Sequence, residues 1–314
     1  MRGPMALGVE EIPSRRFGRY VLREKIGEGG MAEIFRADVI EGDILSTVAL
    51  KLLKPNPPQR VADLFFAEAD LMGLLTHPNL VKRLEVGSLG DRVFIAMEDL
   101  YGGDLQSLLG LLAQQSPPER LAPEAACYVV LQVLHALAYF HQARSSGGNE
   151  LGLVHGDINP SNVLLSAYGE IKLCDFGVAS IPGVGAGLEE GVAAGKLHYL
   201  SPEQVHGLKL TAASDLFAVA TMLFYLMFGE LPFTGATDDE VLDRIRAAKL
   251  KLPPGADGEL ARILKKGLSR SLKDRYLTAG ELAGDLLTYQ LDHGLQFGPP
   301  NMQDLLDRVL GIAV

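Results

Sequence analysis

His155-Gly156-Asp157-Ile158-Asn159-Pro160-Ser161-Asn162-Val163-Leu164-Leu165, followed shortly by Asp175-Phe176-Gly177, is the stretch on which the reading of this chain turns. It supplies a candidate base, Asp157, and two candidate oxygen ligands for a divalent metal, Asn162 and Asp175. The runs Val163-Leu164-Leu165 and Ile171-Lys172-Leu173-Cys174 read as two strands of a short hairpin joined at Ala167-Tyr168-Gly169. Such a hairpin would bring Asn162 and Asp175 together on neighbouring turns. A base beside two metal ligands suits phosphoryl transfer from ATP, whose loose, charged transition state needs an aligned acceptor hydroxyl and neutralised charge. A lone His-x-Asp triplet would carry little weight; the combination carries much more.

The set closely resembles the eukaryotic-like protein kinases, and the remaining motifs of that family occur in order from about Phe17 to about Leu291. Ile26-Gly27-Glu28-Gly29-Gly30-Met31-Ala32-Glu33-Ile34 resembles the glycine-rich loop, where missing side chains let backbone N–H groups approach phosphates. Val48-Ala49-Leu50-Lys51 resembles the strand whose lysine contacts the α- and β-phosphates, and Glu68, on the amphipathic segment Val61 to Leu75, is its implied ion partner. Met97-Glu98-Asp99-Leu100 resembles the hinge, with Met97 as gatekeeper, Glu98 and Leu100 offering backbone groups to adenine, and Asp104 near the ribose. The resemblance thus implies nucleotide contacts from Ile26, Gly27, Glu28, Gly29, Gly30, Ile34, Ala49, Lys51, Glu68, Met97, Glu98, Leu100, Asp104 and Leu164. It implies metal binding by Asn162 and Asp175, with ATP and Mg²⁺ or Mn²⁺ as cofactors. Ser201-Pro202-Glu203 stands where the family usually has Ala-Pro-Glu, with Arg275 as the expected partner of Glu203. Asp215 stands where a helix aspartate holds the catalytic-loop backbone.

The implied fold is α+β and bilobal: a small antiparallel-sheet lobe with one main helix, then a mostly α-helical lobe. Periodicity agrees. Strand-like segments at Tyr20 to Ile26, Ala32 to Val39, Thr47 to Leu53, Leu80 to Gly87 and Val93 to Met97 surround one helix. Helical patterns follow at Leu105 to Gln114, Pro123 to Arg144, Ser201 to Val205, Ser214 to Phe228, Thr237 to Ala247, Gly258 to Gly267 and Ala279 to Tyr289. The expected division is a flexible leader over 1–16, a small lobe over 17–98, a large lobe over 99–292 and a tail over 293–314. An amphipathic helix in that tail, at Asn301 to Leu310, is expected to pack on the large lobe.

At 314 residues and 47% hydrophobic, the chain can bury a large core. A net charge of −10 disfavours a nucleic-acid partner, because no basic stripe is available to displace counterions, and favours protein acceptors. The longest apolar stretch, Leu216 to Phe228, is shorter than the roughly 20 residues that cross a bilayer, so no membrane span is expected. Met1 to Arg16 lacks the apolar centre of a secretory signal. Two cysteines, Cys127 and Cys174, are too few for a disulfide framework and suit a reducing cytoplasm. Cys174 adjoins Asp175, and a small buried thiol is the preferred reading over a reactive one. No sensor segment is evident, so control is expected to come from a regulatory protein partner.

Three departures from the family pattern stand out. Gly156 replaces the arginine that many members use to bind an activation-loop phosphate, and between Gly177 and Ser201 only Ser180 and Tyr199 offer hydroxyls; activity independent of loop phosphorylation is expected. Asn159 stands where the catalytic loop normally carries a lysine near the γ-phosphate, and an amide cannot neutralise charge. Lys196 stands where Ser/Thr-type members usually carry threonine. The pair resembles a variant of bacterial, myxobacterial-type members, and Lys196 is expected to supply the displaced charge opposite Asp157. The leading expectation is therefore a Ser/Thr protein kinase using Asp157, Lys51, Asn159 and Lys196. A nucleotide-binding pseudokinase scaffold is the alternative, and a small-molecule phosphotransferase ranks third because the Ser201-Pro202-Glu203 segment, Asp215 and Arg275 support a protein-substrate platform.

Overall fold

The computed structural model describes residues 10–41, 44–145, 147–176, 196–254, 256 and 258–311. Six antiparallel strands build the small lobe: β1 (Glu10–Phe17), β2 (Tyr20–Glu28), β3 (Ala32–Glu41), β4 (Ile44–Leu53), β5 (Arg83–Leu89) and β6 (Arg92–Glu98), in the order β1-β2-β3-β4-β6-β5. The alternation of strand side chains decides what each face does. Val48, Leu50 and Leu52 point to one side, where they bury with Tyr20, Leu22, Phe35, Ala37, Val39, Phe94 and Ala96. Ala49 and Leu53 point to the other, against α1 (Gln59–Leu74), and the same alternation puts Lys51 on the helix side. On α1, Phe65, Glu68, Ala69 and Met72, buried together with Leu71, follow helical spacing, so one charged residue shares the stripe that faces the sheet.

Two expectations change here. Part of the stretch expected to be a flexible leader, from Glu10 onward, is strand β1, paired with β2 from Glu10 opposite Lys25 to Phe17 opposite Tyr20. Pro13, which masked the strand signal, falls within the register shift between Glu11 and Arg15, where a missing N–H disrupts no ladder bond. The strand expected at Leu80 begins only at Arg83. Leu80 instead forms a parallel bridge with Leu173, and Val81 donates its N–H to the Leu173 carbonyl at 3.0 Å, which ties the segment to the large lobe.

A second, three-stranded sheet, β7 (Tyr101–Asp104), β8 (Val163–Ser166) and β9 (Ile171–Leu173), opens the large lobe. The helices are α2 (Leu105–Gln114), α3 (Pro123–His141), α4 (Pro202–Val205), α5 (Ala212–Phe228), α6 (Asp238–Ala247), α7 (Gly258–Gly267), α8 (Ala279–Asp292) and α9 (Pro299–Leu310). Pro123 and Pro202 occupy first-turn positions, where the missing N–H costs nothing. β7 was not foreseen, being four residues with two glycines. α5 is buried nearly all round, as its apolar run implied. Among the described residues, the one helix long and apolar enough to cross a bilayer is α3 rather than α5, and 67% of its apolar window lies inside the protein, as in a core helix. One hydrophobic cluster runs from α1 and the sheet through α2, α3 and the β8–β9 hairpin to α5, α7 and α8.

Candidate active site

Lys51, on β4, lies between two carboxylates: its Nζ donates to Glu68 Oε1 at 2.6 Å and to Asp175 Oδ1 at 3.0 Å. Both Lys51 and Glu68 are buried. Burial opposes the charged form of Lys51, but the Asp175 and Glu68 carboxylates outweigh it and hold its pKa above the ordinary value. In return the Lys51 charge holds the Asp175 carboxyl below its usual range. Asp175 has φ +54°, a left-handed conformation rare for a residue with a side chain, and such strain clusters at functional sites.

The catalytic-loop candidates converge on Asp157. Lys196 donates from Nζ to Asp157 Oδ2 at 2.7 Å. Asn159 donates from Nδ2 to Oδ1 at 2.9 Å and accepts from the Ser161 N–H at 3.0 Å. Asn162 donates from Nδ2 to Oδ2 at 2.9 Å and to the Asp157 carbonyl at 2.7 Å. With its nitrogen so committed, Asn162 keeps its amide oxygen as the acceptor for a cation. The Cys174 N–H donates to the Asn162 carbonyl at 3.0 Å, closing the β8–β9 hairpin next to Asp175.

The loop is anchored from below. Asp215, in the first turn of α5, accepts from the His155 N–H at 2.8 Å and the Gly156 N–H at 2.7 Å, and meets His141 Nε2 at 2.8 Å. Gly156 has φ +74°, which glycine adopts without strain. The His155 ring accepts from the Asp157 N–H through Nδ1 at 3.3 Å, which leaves Nε2 to donate to the Cys174 carbonyl at 3.1 Å; both bonds belong to a neutral imidazole. The ring also packs on Phe176, centroids 6.1 Å apart. Glu203 and Arg275 form a buried bidentate pair at 2.7 and 2.9 Å. The Cys174 thiol is pushed well above its ordinary pKa by burial, which makes it an unreactive thiol.

The hinge side of the cleft holds Ala49, paired with Met97 across the sheet, with Ile26, Ile34 and Leu164 half-buried around it. The Glu98 N–H is bonded to the Lys82 carbonyl, and the Leu100 carbonyl accepts from Gly102 and Ala167. Adenine contact at the hinge would therefore fall to the Glu98 carbonyl and the Leu100 N–H. Asp104 is the N-cap of α2, accepting from the Ser107 N–H at 2.9 Å and its hydroxyl at 2.8 Å. Sequence reading missed three contacts that shape this region. The Glu98 side chain accepts from Lys172 at 2.8 and 2.9 Å; Arg36 on β3 bonds Asp99 and lies over the Tyr101 ring; Gln204 donates to the Gly156 carbonyl at 2.7 Å. Each joins residues far apart in sequence, with no local pattern to mark it.

The arrangement fits Mg²⁺-ATP. A methyl group added at Gly29 would come no nearer than 3.9 Å to another residue, and one at Gly30 would meet nothing, so internal packing gives no reason for these glycines. Glu28, beside them, is bound by Lys25 and by Lys54 at 2.8 Å, and these lysines lower its pKa to about 2. Asp175 and Asn162 give two oxygen donors, the small protein share with which Mg²⁺ on a nucleotide is usually held.

The protein kinase domain family matches residues 20–292. Among similar proteins, the tyrosine-protein kinase MasK of Myxococcus xanthus is 34% identical over 285 residues, spanning 88% of this chain and 44% of MasK. The serine/threonine-protein kinase PrkC of Bacillus subtilis is 31% identical, over 88% of this chain and 41% of its own. The serine/threonine-protein kinase PknD of Mycobacterium tuberculosis is 30% identical, over 92% and 42%. The chain belongs to the protein kinase domain family, whose members use ATP with Mg²⁺ or Mn²⁺. It spans about two fifths of the length of these relatives.

Proposed function

We propose that this chain transfers the γ-phosphoryl group of ATP to serine and threonine hydroxyls of proteins, in the cytoplasm. The observation that carries the reading is the Lys196–Asp157 contact at 2.7 Å, made while Lys51 is already paired with Glu68. Bound Mg²⁺-ATP would supply the phosphoryl group and part of the charge neutralisation. Asp157 orients the acceptor hydroxyl and takes its proton. Asn159 and Asn162 hold the two carboxylate oxygens of Asp157 in place, so the base is oriented before substrate arrives. Lys196 carries the positive charge that Asn159 lacks to the side of Asp157 where charge develops. Lys51, fixed by Glu68, would hold the α- and β-phosphates; Asn162 and Asp175 would hold the metal; Asp104 keeps lone pairs for the ribose beyond those used in capping α2. Ile26, Ile34, Ala49, Met97 and Leu164 would line the adenine.

Two observations support activity without loop phosphorylation. Gly156 offers no guanidinium, and Tyr199 is buried, its hydroxyl pKa raised by that burial. Ser180 lies outside the described residues. Serine and threonine acceptors follow the names of PrkC and PknD, whereas MasK is named for tyrosine. Phosphoamino-acid analysis of a basic protein labelled by this chain from radioactive ATP separates them: phosphoserine or phosphothreonine supports the reading, and phosphotyrosine alone overturns the acceptor assignment.

A further inference from the structure

The tail helix α9 meets the molecule at a place with consequences for the site. Gly169, at the turn between β8 and β9, has φ +80°, and a Cβ there would lie 1.9 Å from the Pro299 carbonyl oxygen and 3.0 Å from the Gln303 nitrogen. The hairpin tip thus sits directly on the first turn of α9. From α3, Tyr128 donates its hydroxyl to the Gly169 carbonyl at 3.0 Å, and its ring packs on Phe297, just before α9, with centroids 5.6 Å apart. α9 is itself fixed: Met302 and Leu306 are buried, and Arg308 holds both carboxylate oxygens of Glu119 at 2.8 and 3.0 Å.

This hairpin is the element whose two ends carry Asn162 and Asp175. β7 pairs with β8, the Leu80 segment bridges to β9, and the Cys174 N–H closes the open end on Asn162, so the clasp at the tip adds the remaining restraint on how the two ends are set. We propose that α9 and its lead-in act as a brace for the metal-bearing hairpin, with Tyr128, Gly169 and Phe297 as positioning residues, so that the tail sets the site's affinity for divalent metal with nucleotide. The proposal rests on the reading above that Asn162 and Asp175 hold the metal.

The test compares the full chain with Tyr128→Phe, which keeps the ring and removes one hydrogen bond, and with Gly169→Ala, which crowds the tip. Binding of a fluorescent ATP analogue is titrated with Mg²⁺, and hydrogen exchange of the β8–β9 amides is followed without nucleotide. Tyr128→Phe should raise the half-saturating Mg²⁺ concentration about threefold to tenfold, the scale of one hydrogen bond. It should also speed exchange in the hairpin while leaving affinity for metal-free nucleotide unchanged. If Gly169→Ala does not fold, Tyr128→Phe carries the test alone. Parent and variant binding alike at every Mg²⁺ concentration overturns the brace, as does a variant that loses only melting temperature. A parent that binds no nucleotide with Mg²⁺ removes the metal-site reading and the brace with it.

Discussion

Lys196 and Asn159 bond the two different oxygens of one carboxylate: the ammonium bonds Asp157 Oδ2 at 2.7 Å and the amide bonds Oδ1 at 2.9 Å. Between them they supply orientation and charge from two positions in the chain. Asp157 takes no part in the Lys51–Glu68 pair. Asp157→Ala is therefore expected to abolish phosphoryl transfer while leaving ATP binding, followed by fluorescence titration, within about twofold, since general-base loss alone costs about 10²- to 10⁴-fold.

Phosphate on the activation segment is expected to be dispensable. Extended phosphatase treatment, with phosphate loss confirmed by mass spectrometry, should leave the rate of transfer to a basic protein unchanged. A rate that falls with phosphate content and returns on rephosphorylation would contradict this.

The Glu203–Arg275 pair is buried and bidentate, and Arg275 also donates to the carbonyls of Ser269, Ala213 and Arg270. Removing the cation strands a buried carboxylate, a change that typically costs about 3–5 kcal/mol. Arg275→Ala should lose stability on that scale by urea denaturation. Arg275→Met paired with Glu203→Gln should recover part of it, because no unpaired charge remains.

His155 is buried, and burial lowers its pKa below the ordinary histidine value of about 6.5. The unfolded chain therefore takes up a proton that the folded protein refuses as pH drops below about 6.5, and stability falls with pH in that window. Thermal melting between pH 7.5 and 5.5 should show this decline. His155→Phe, less stable at pH 7.5 through loss of its hydrogen bonds, should show a shallower one.

Much of the site could be read from the sequence because its parts are local. The hairpin carrying Asn162 and Asp175, the strand carrying Lys51 and the helical stripe carrying Glu68 each have a short pattern, and their order fixed the fold. Boundaries were less legible: Pro13 masked β1, and Leu80 looked like strand although its partner is Leu173 in the other lobe. Least legible were contacts such as Tyr128 with Gly169 and Arg36 with Asp99. Their residue types suit many roles, and only the tertiary fold brings them together.

Whether Lys196 supplies the charge missing at Asn159 is decided by turnover of Lys196→Thr and of Lys196→Thr combined with Asn159→Lys, at saturating ATP. The single variant should lose about 10²- to 10³-fold, the scale for one charge-stabilising donor, and the double should recover at least tenfold of it. A Lys196→Thr protein as active as the parent, or a double variant no better than the single one, would contradict it.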